Sequence, residues 1–326
     1  MNSVFKDMRA KGKPLGNFED KIGRLGEILK RDDVIRSSEN SRKQGEILGN
    51  PLDNVPFFKK LMLSPILMSI MKELNKSYDG IDTPVKKNRI NEEELQKIEK
   101  KAKELGALSI GYARVDKEDI FEGYGIVYPN AIVFTIEMDK ENINKAPSID
   151  TAKMIMKTYD QTGIVANKLT EFIREMGFGA HAGPGLGGLT IYPVLAEKAN
   201  LGIIGRHGLL ISPEVGPRLR LAVVYTNIDN LPLKNENTHK WVLQFCKSCG
   251  KCIRKCPDGA IYNTPVKTKG EHVSYMDYKK CAVHFAEWFG CTVCVKECVF
   301  SQNDYQDIKE NFFQNKDKSE ANEYKM

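Results

Sequence analysis

All eight cysteines of this 326-residue chain lie between Cys246 and Cys298, and none occurs in the first 245 residues. The array reads Cys246-Lys-Ser-Cys249-Gly-Lys-Cys252-Ile-Arg-Lys-Cys256-Pro257, then continues through Cys281, Cys291-Thr-Val-Cys294 and Cys298. Thiols this closely spaced converge from one tight loop, and that convergence serves a metal centre. The rest of the chain has to be read around it.

Spacings of two, two and three residues followed by Cys-Pro are those of a bacterial-type ferredoxin, where three thiolates hold one cubane and the fourth crosses to the other. A strict repeat would place cysteines at 288, 291, 294 and 298, but position 288 is Trp288. The only unassigned cysteine is Cys281, and with it the count closes. Cys246, Cys249, Cys252 and Cys298 make one four-thiolate site; Cys256, Cys281, Cys291 and Cys294 make the other. Val299 departs from a second Cys-Pro. Tetrahedral zinc would use pairs such as Cys249/Cys252 and Cys291/Cys294 and strand four thiols. A disulfide framework does not suit a cytosolic chain of this length. Two [4Fe–4S] clusters are expected. Basic residues at 247, 251, 254, 255 and 296 surround the array; they read either as solvated surface or as a docking patch for an acidic electron donor such as a ferredoxin or flavodoxin.

The formal net charge of +6 comes with no basic run interleaved with aromatics, so no nucleic-acid partner is expected. No apolar signal core follows Met1, no twin arginine precedes one, and no stretch is long enough to span a bilayer, so the expected compartment is the cytoplasm.

Four regions are expected. Residues 1–90 form a helical extension and linker, with helical spacing at Asn17 to Arg31 and a Met-rich amphipathic helix at Phe57 to Leu74, broken or started at Pro65. Residues 91–240 alternate helices with strands in an α/β or α+β layer structure. Asn91 caps a helix running to Gly106, strands lie at Leu108 to Val115 and Asn130 to Met138, a long helix spans Asp150 to Met176, and a Pro-led helix spans Pro193 to Ala199. Strands at Leu209 to Ser212 and Leu219 to Tyr225 flank a Pro-Glu-Val-Gly-Pro turn. Residues 241–303 are the cysteine module, and 304–326 a charged tail read as a solvated helix with a frayed end.

Gly183-Pro-Gly185-Leu-Gly187-Gly188 formally satisfies a dinucleotide fingerprint, but Pro184 sits inside it and Leu189-Thr-Ile-Tyr separates it from the next helix. The fingerprint needs its glycines to open that helix. A loop whose backbone approaches a large flat ligand, or a plain flexible loop, fits better.

The run Pro193-Val-Leu-Ala-Glu-Lys-Ala-Asn-Leu-Gly-Ile-Ile-Gly205-Arg206-His207-Gly-Leu-Leu-Ile-Ser-Pro-Glu214-Val-Gly-Pro-Arg218-Leu-Arg220-Leu resembles the reductive dehalogenases and, more loosely, epoxyqueuosine reductase. Helix 151–176, with Tyr159 ahead of Gly163-Ile-Val-Ala-Asn-Lys-Leu, looks like the dehalogenase helix that carries a catalytic tyrosine. The resemblance covers about 150 to 303 and includes the displaced cysteine. It implies a nitroreductase-like domain binding base-off cobalamin, followed by the two-cluster ferredoxin domain that feeds it single electrons. Tyr159 then matches the proton donor, and Arg220 the basic residue that favours its ionised form, with a packing Tyr and an Arg220–Glu214 pair as the structural alternatives. Gly185, Gly187, Tyr192, Gly205, Arg206 and His207 are the candidate cobalamin contacts. The resembling families place no protein ligand on cobalt, which argues against His207 as one. Two departures stand out. Gly187 or Gly188 replaces a polar Asn of the dehalogenases, and Thr190 replaces the catalytic Asp of the epoxyqueuosine reductases, which disfavours queuosine reduction.

The resulting expectation is a cytosolic corrinoid iron–sulfur reductase acting on a small organic substrate, organohalides among the candidates. The competing reading is an electron-transfer protein that activates a corrinoid for a partner enzyme and has no small-molecule substrate of its own.

Overall fold

The computed structural model describes residues 29–30, 57–77, 79–121, 125–186, 188–267 and 273–323. In chain order the elements are β1 (Leu29–Lys30), α1 (Phe57–Lys76), α2 (Glu92–Glu104), β2 (Ile110–Arg114), β3 (Gly125–Ile126), β4 (Asn130–Glu137), α3 (Lys140–Asn144), α4 (Ile149–Glu175), β5 (Ala180–Gly183), α5 (Tyr192–Lys198), β6 (Ile203–Ile204), β7 (Leu210–Ile211) and β8 (Leu219–Thr226). The cysteine-bearing part then adds α6 (Trp241–Cys249), α7 (Lys251–Lys255), β9 (Ile261–Lys267), β10 (Val273–Met276), α8 (Tyr278–Glu287), α9 (Val293–Lys296), α10 (Val299–Gln302) and α11 (Tyr305–Glu323).

The central sheet has the order β2-β4-β8-β5, and every pairing in it is antiparallel. Alternating helices and strands left the layer structure open between α/β and α+β; the antiparallel ladder makes it α+β. Period-two alternation decides which side chains face which layer. Ile132, Phe134, Ala222 and Val224 pack on one face beneath α2 and α4, with Ile98, Val165, Leu169 and Ile173. Ala131, Val133, Val223 and Tyr225 pack on the other with Leu195 and Ala196 of α5.

Local signals account for the helix ends. Asn91 accepts a hydrogen bond from the Glu94 amide while the Glu94 carboxylate reaches back to the Asn91 amide, a complete capping box. The long helix α4 is capped by Ser148, two residues earlier than Asp150 suggested. Two expectations for the first 90 residues change. Helix α1 runs uninterrupted through Pro65. It is docked on α4, where Asn167 donates to both the carbonyl and the carboxylate of Glu73 at 2.8 Å; such packing overrides a local proline penalty of about 3 kcal/mol. Leu29 and Lys30, expected at the end of a helix, form a strand paired with Ile126 and Gly125; the remainder of 17–31 lies outside the described residues. Among the described residues no helix is long and apolar enough to cross a membrane.

Two of the contacts that fasten the cysteine module to the sheet domain are the most extensively built. An aromatic nest gathers Trp241, Phe245, Phe300 and Tyr305 around Ile203 and Ile211, with Trp241 5.1 Å from Tyr305 and Phe245 5.1 Å from Phe300 between ring centroids. The turn before β8 supplies the second. Arg218, 8% exposed, donates from Nε to the Ser301 carbonyl (3.2 Å), and from Nη1 to the Glu137 carboxylate (2.9 Å) and the Met138 carbonyl (3.1 Å). Gly216, with φ of +60°, brings that turn against the Phe300 carbonyl, where a Cβ would collide with backbone. Removing the fork by Arg218→Met should cost about 2 kcal/mol, since two buried carbonyls lose their donor. Thermal unfolding should then begin on the order of 5 °C lower; an unchanged midpoint would show that the other contacts hold the module without the fork.

Candidate redox and substrate site

The eight thiols fall into two neighbourhoods. Cys246 sits in α6, Cys249 at its end and Cys252 in α7, with Gly250 in the left-handed region turning the chain between the helices. Cys298, three residues before the Arg218 contact, closes this group from the start of α10. The four line one cavity with Arg206, His207, Ile211, Phe245, Val299 and Phe300. In the second group Cys281, on α8, has Cys256 and Cys291 as charge neighbours, and Cys294 has Cys281, Cys291, Cys252 and Cys256. Cys252 thus faces Cys294 across the boundary between the groups. Trp288, standing where a strict repeat puts a cysteine, is 49% exposed and stacks on His284 at 5.8 Å.

Burial pushes the thiols of Cys246 and Cys281 up to about 11, and raises Cys294 and Cys298 above their ordinary value too, with neighbouring thiols adding to the effect. Groups placed this way become thiolates only when a strongly cationic centre displaces their protons. Among the described residues no three His, Cys, Asp or Glu side chains meet as a single-ion site. The donor set therefore suits a polynuclear cluster, whose irons spread the thiolates, better than one zinc ion.

Two backbone amides already point at sulfur. The Ala260 amide donates to Cys256 Sγ at 3.3 Å, and the Arg206 backbone donates to Cys246. Of the basic residues around the array, Lys296 donates to the Ala146 carbonyl and Lys251 pairs with Glu297 at 3.3 Å, whereas Lys247, Arg254 and Lys255 are exposed.

Tyr159 and Arg220 come together. The Arg220 guanidinium carbon lies 4.3 Å from the centroid of the Tyr159 ring, cation–π geometry. Among the described residues no ion pair joins Arg220 to Glu214. Arg220 Nε and Asp160 Oδ1 are buried with no protein partner. Tyr159 also packs, together with Leu209 and Cys294, on the buried cluster of Met138, Ile143, Met154, Ile155 and Val295. One thiol of the second group therefore shares a packed cluster with Tyr159.

The other expected cofactor contacts are placed differently. Tyr192 is buried in the core and its hydroxyl donates to the Pro184 carbonyl at 3.1 Å. A side chain at Gly188 would strike the Tyr192 ring at 2.5 Å, and one at Gly185 would strike Thr162 Oγ1 at 2.7 Å. Tyr192 and Thr162 fill the space in front of Gly188 and Gly185. Gly187 lies outside the described residues. Gly205, whose amide donates to the Leu209 carbonyl at 2.9 Å, closes the turn carrying Arg206 and His207. That turn faces the first thiol cavity, which Arg206 and His207 line. His207 is 1% exposed and burial pulls its pKa down to about 4, so the ring is neutral. Arg218 escaped the sequence reading, although a second arginine two residues from Arg220 was a signal that the turn has two tasks.

Comparison with known proteins shows what the chain is similar to. The family model of the 4Fe-4S binding domain matches residues 239–262. The tetrachloroethene reductive dehalogenase of Sulfurospirillum multivorans is 34% identical over 182 residues, covering 53% of this chain and 36% of that protein. The enzyme of the same name from Desulfitobacterium hafniense is 36% identical over 157 residues, covering 48% of this chain and 27% of its own length. Over about half of its length this chain is thus similar to reductive dehalogenases. An epoxyqueuosine reductase from a Synechocystis species is more distant, 30% identical over 116 residues, covering 33% of this chain and 38% of that protein. Both kinds of relative are oxidoreductases. The fold is that of a catabolic reductive dehalogenase solved with 3-bromo-4-hydroxybenzoic acid, with a TM-score of 0.62 at 19% identity over 90% of this chain and 41% of that one. The chain spans about a third of the length of the dehalogenases it matches. The absence of a nucleic-acid partner, expected from composition, gains nothing from these relatives.

Proposed function

We propose that the chain is a corrinoid iron–sulfur oxidoreductase of the reductive-dehalogenase type, acting on an electrophilic carbon in a small organic substrate. The observation that carries this reading is the pairing of Tyr159 with Arg220: a proton donor and a cation stack on one another, and the Tyr159 ring packs on the same buried cluster as Cys294, a thiol of one cluster site. The similarity to two tetrachloroethene reductive dehalogenases supports it, and makes organohalides the substrate class to try first.

In this reading Cys246, Cys249, Cys252 and Cys298 hold one [4Fe–4S] cluster, and Cys256, Cys281, Cys291 and Cys294 the other. The sheet domain is nitroreductase-like and takes base-off cobalamin, with the Asp160 and Arg220 atoms that lack protein partners as the polar groups available to it or to substrate. The chemistry cobalamin supplies when bound is one-electron reduction at cobalt and reaction of the reduced metal with the electrophilic carbon. The protein's part is to hold Tyr159 O–H ready to protonate the product carbon, while the Arg220 charge over the ring stabilises the phenolate left behind. Lys247, Arg254 and Lys255 offer an exposed cationic face to an acidic, low-potential donor of the ferredoxin or flavodoxin kind. The cytoplasm is the compartment where such a donor and reduced thiols coexist. Nothing in the site favours a corrinoid-activating role over direct catalysis.

Anaerobic reconstitution with iron, sulfide and cobalamin tests the reading. One corrinoid and about eight irons per chain are expected, together with reductive dechlorination of tetrachloroethene when a low-potential donor is added. Iron without corrinoid would sink the reading, and reduction of a partner's corrinoid without any small-molecule product would replace it with the electron-transfer role.

A further inference from the structure

The turn Gly205–Leu209 places one histidine between two redox neighbourhoods. His207 is 1% exposed and lines the cavity ringed by Cys246, Cys249, Cys252 and Cys298. Its tautomer is fixed by backbone. The Leu209 amide donates to His207 Nδ1 at 3.1 Å, so Nδ1 is the acceptor and the ring proton resides on Nε2. That Nε2 is buried and has no partner among the described residues. A buried N–H left without an acceptor is costly, so its persistence argues that an acceptor arrives from outside the polypeptide. The cavity beside it is where a cluster's sulfurs would lie. Arg206 repeats the pattern: its Nη2 donates to the Asn263 carbonyl, its backbone amide points at Cys246, and its Nε is buried without a partner.

We propose that His207 donates its Nε2–H to a sulfur of the cluster held by Cys246, Cys249, Cys252 and Cys298, and thereby sets the reduction potential of that cluster and not of its neighbour. This rests on the four thiols holding a cluster, as above. Reduction adds negative charge to the cluster's sulfurs, and a neutral donor aimed at them favours the reduced form. Leu209, two residues on, packs with Cys294 and Tyr159 at the second site. The same short turn therefore fixes the tuning donor of one cluster and a wall of the other.

Redox titration of the anaerobically reconstituted full chain, followed by electron paramagnetic resonance, tests this. His207→Phe should retain about eight irons and shift one cluster to more negative potential while leaving the other in place. At a fixed potential the reduced-to-oxidised ratio of the shifted cluster should fall about tenfold, which is about 59 mV for one electron. His207→Gln, whose amide can still donate, should recover part of the shift. In the wild-type chain labelled with 15N-histidine, the reduced cluster should show a 15N coupling and an exchangeable proton. Full iron with both potentials unmoved overturns the proposal, and so does the absence of any histidine coupling in the wild type, which decides the matter if His207→Phe fails to assemble. A wild-type chain that takes up no cluster at Cys246 fails at the earlier step, and the iron count tells the two failures apart.

Discussion

Cys281→Ala is expected to lower the iron held after anaerobic reconstitution from about eight to about four atoms per chain. The reasoning is geometric. Trp288, the residue a strict ferredoxin repeat would require to be cysteine, is turned outward and stacked on His284. Cys281, one turn into α8, instead has Cys256 and Cys291 as charge neighbours. No other cysteine is free to replace it, because the remaining seven are already divided between the two neighbourhoods. The other cluster should survive, since Cys246, Cys249, Cys252 and Cys298 draw on α6, α7 and α10 and not on α8. Iron and acid-labile sulfide analysis, with the spectrum of the remaining cluster, measures this. Retention of about eight irons would mean that the division of the eight thiols is wrong.

Tyr159→Phe is expected to reduce turnover of an organohalide by about 10²- to 10⁴-fold, the usual worth of a positioned proton donor. The substitution removes one oxygen and keeps the ring. Packing on Met154 and Ile155 and the Arg220 contact both depend on the ring and should persist. Reduction of the clusters by a low-potential donor should proceed at the wild-type rate, because neither thiol group changes. Lost turnover with intact cluster reduction places the defect at proton delivery. Turnover at the wild-type level would show that Tyr159 is a packing residue and that the proton comes from elsewhere.

How much of this was legible in the sequence depends on where the specifying signal resides. The cysteines were legible because ligation depends on residue type and spacing, both of which a sequence states outright. The strands Asn130–Glu137 and Leu219–Thr226 announced themselves through β-branched, apolar runs, as buried central strands do. Ala180–Gly183 did not. Ala-His-Ala-Gly carries no strand propensity, and it is a strand because β8 offers it an unpaired edge. The antiparallel order of the sheet was equally hidden, since alternating helices and strands fit either direction. At the site, Tyr159 and Arg220 were named separately, but nothing in the sequence says that a helix residue and a strand residue sixty-one positions apart stack on one another. His207 was the reverse case. Its neighbourhood with Arg206 was noticed, yet that the turn sets it against the first thiol cavity is a matter of turn geometry that the sequence does not state.

The Arg218 fork has a kinetic meaning. It joins the strand carrying Arg220 to the backbone three residues beyond Cys298, so the thiols and the Tyr159–Arg220 pair belong to one packed body. In the proposed function, electrons crossing from one to the other traverse a fixed gap. Thickening the solvent with sucrose should therefore slow the arrival of electrons from an external donor while leaving their internal passage untouched. Arg218→Met, by loosening the joint, should be the change that makes the internal step feel viscosity.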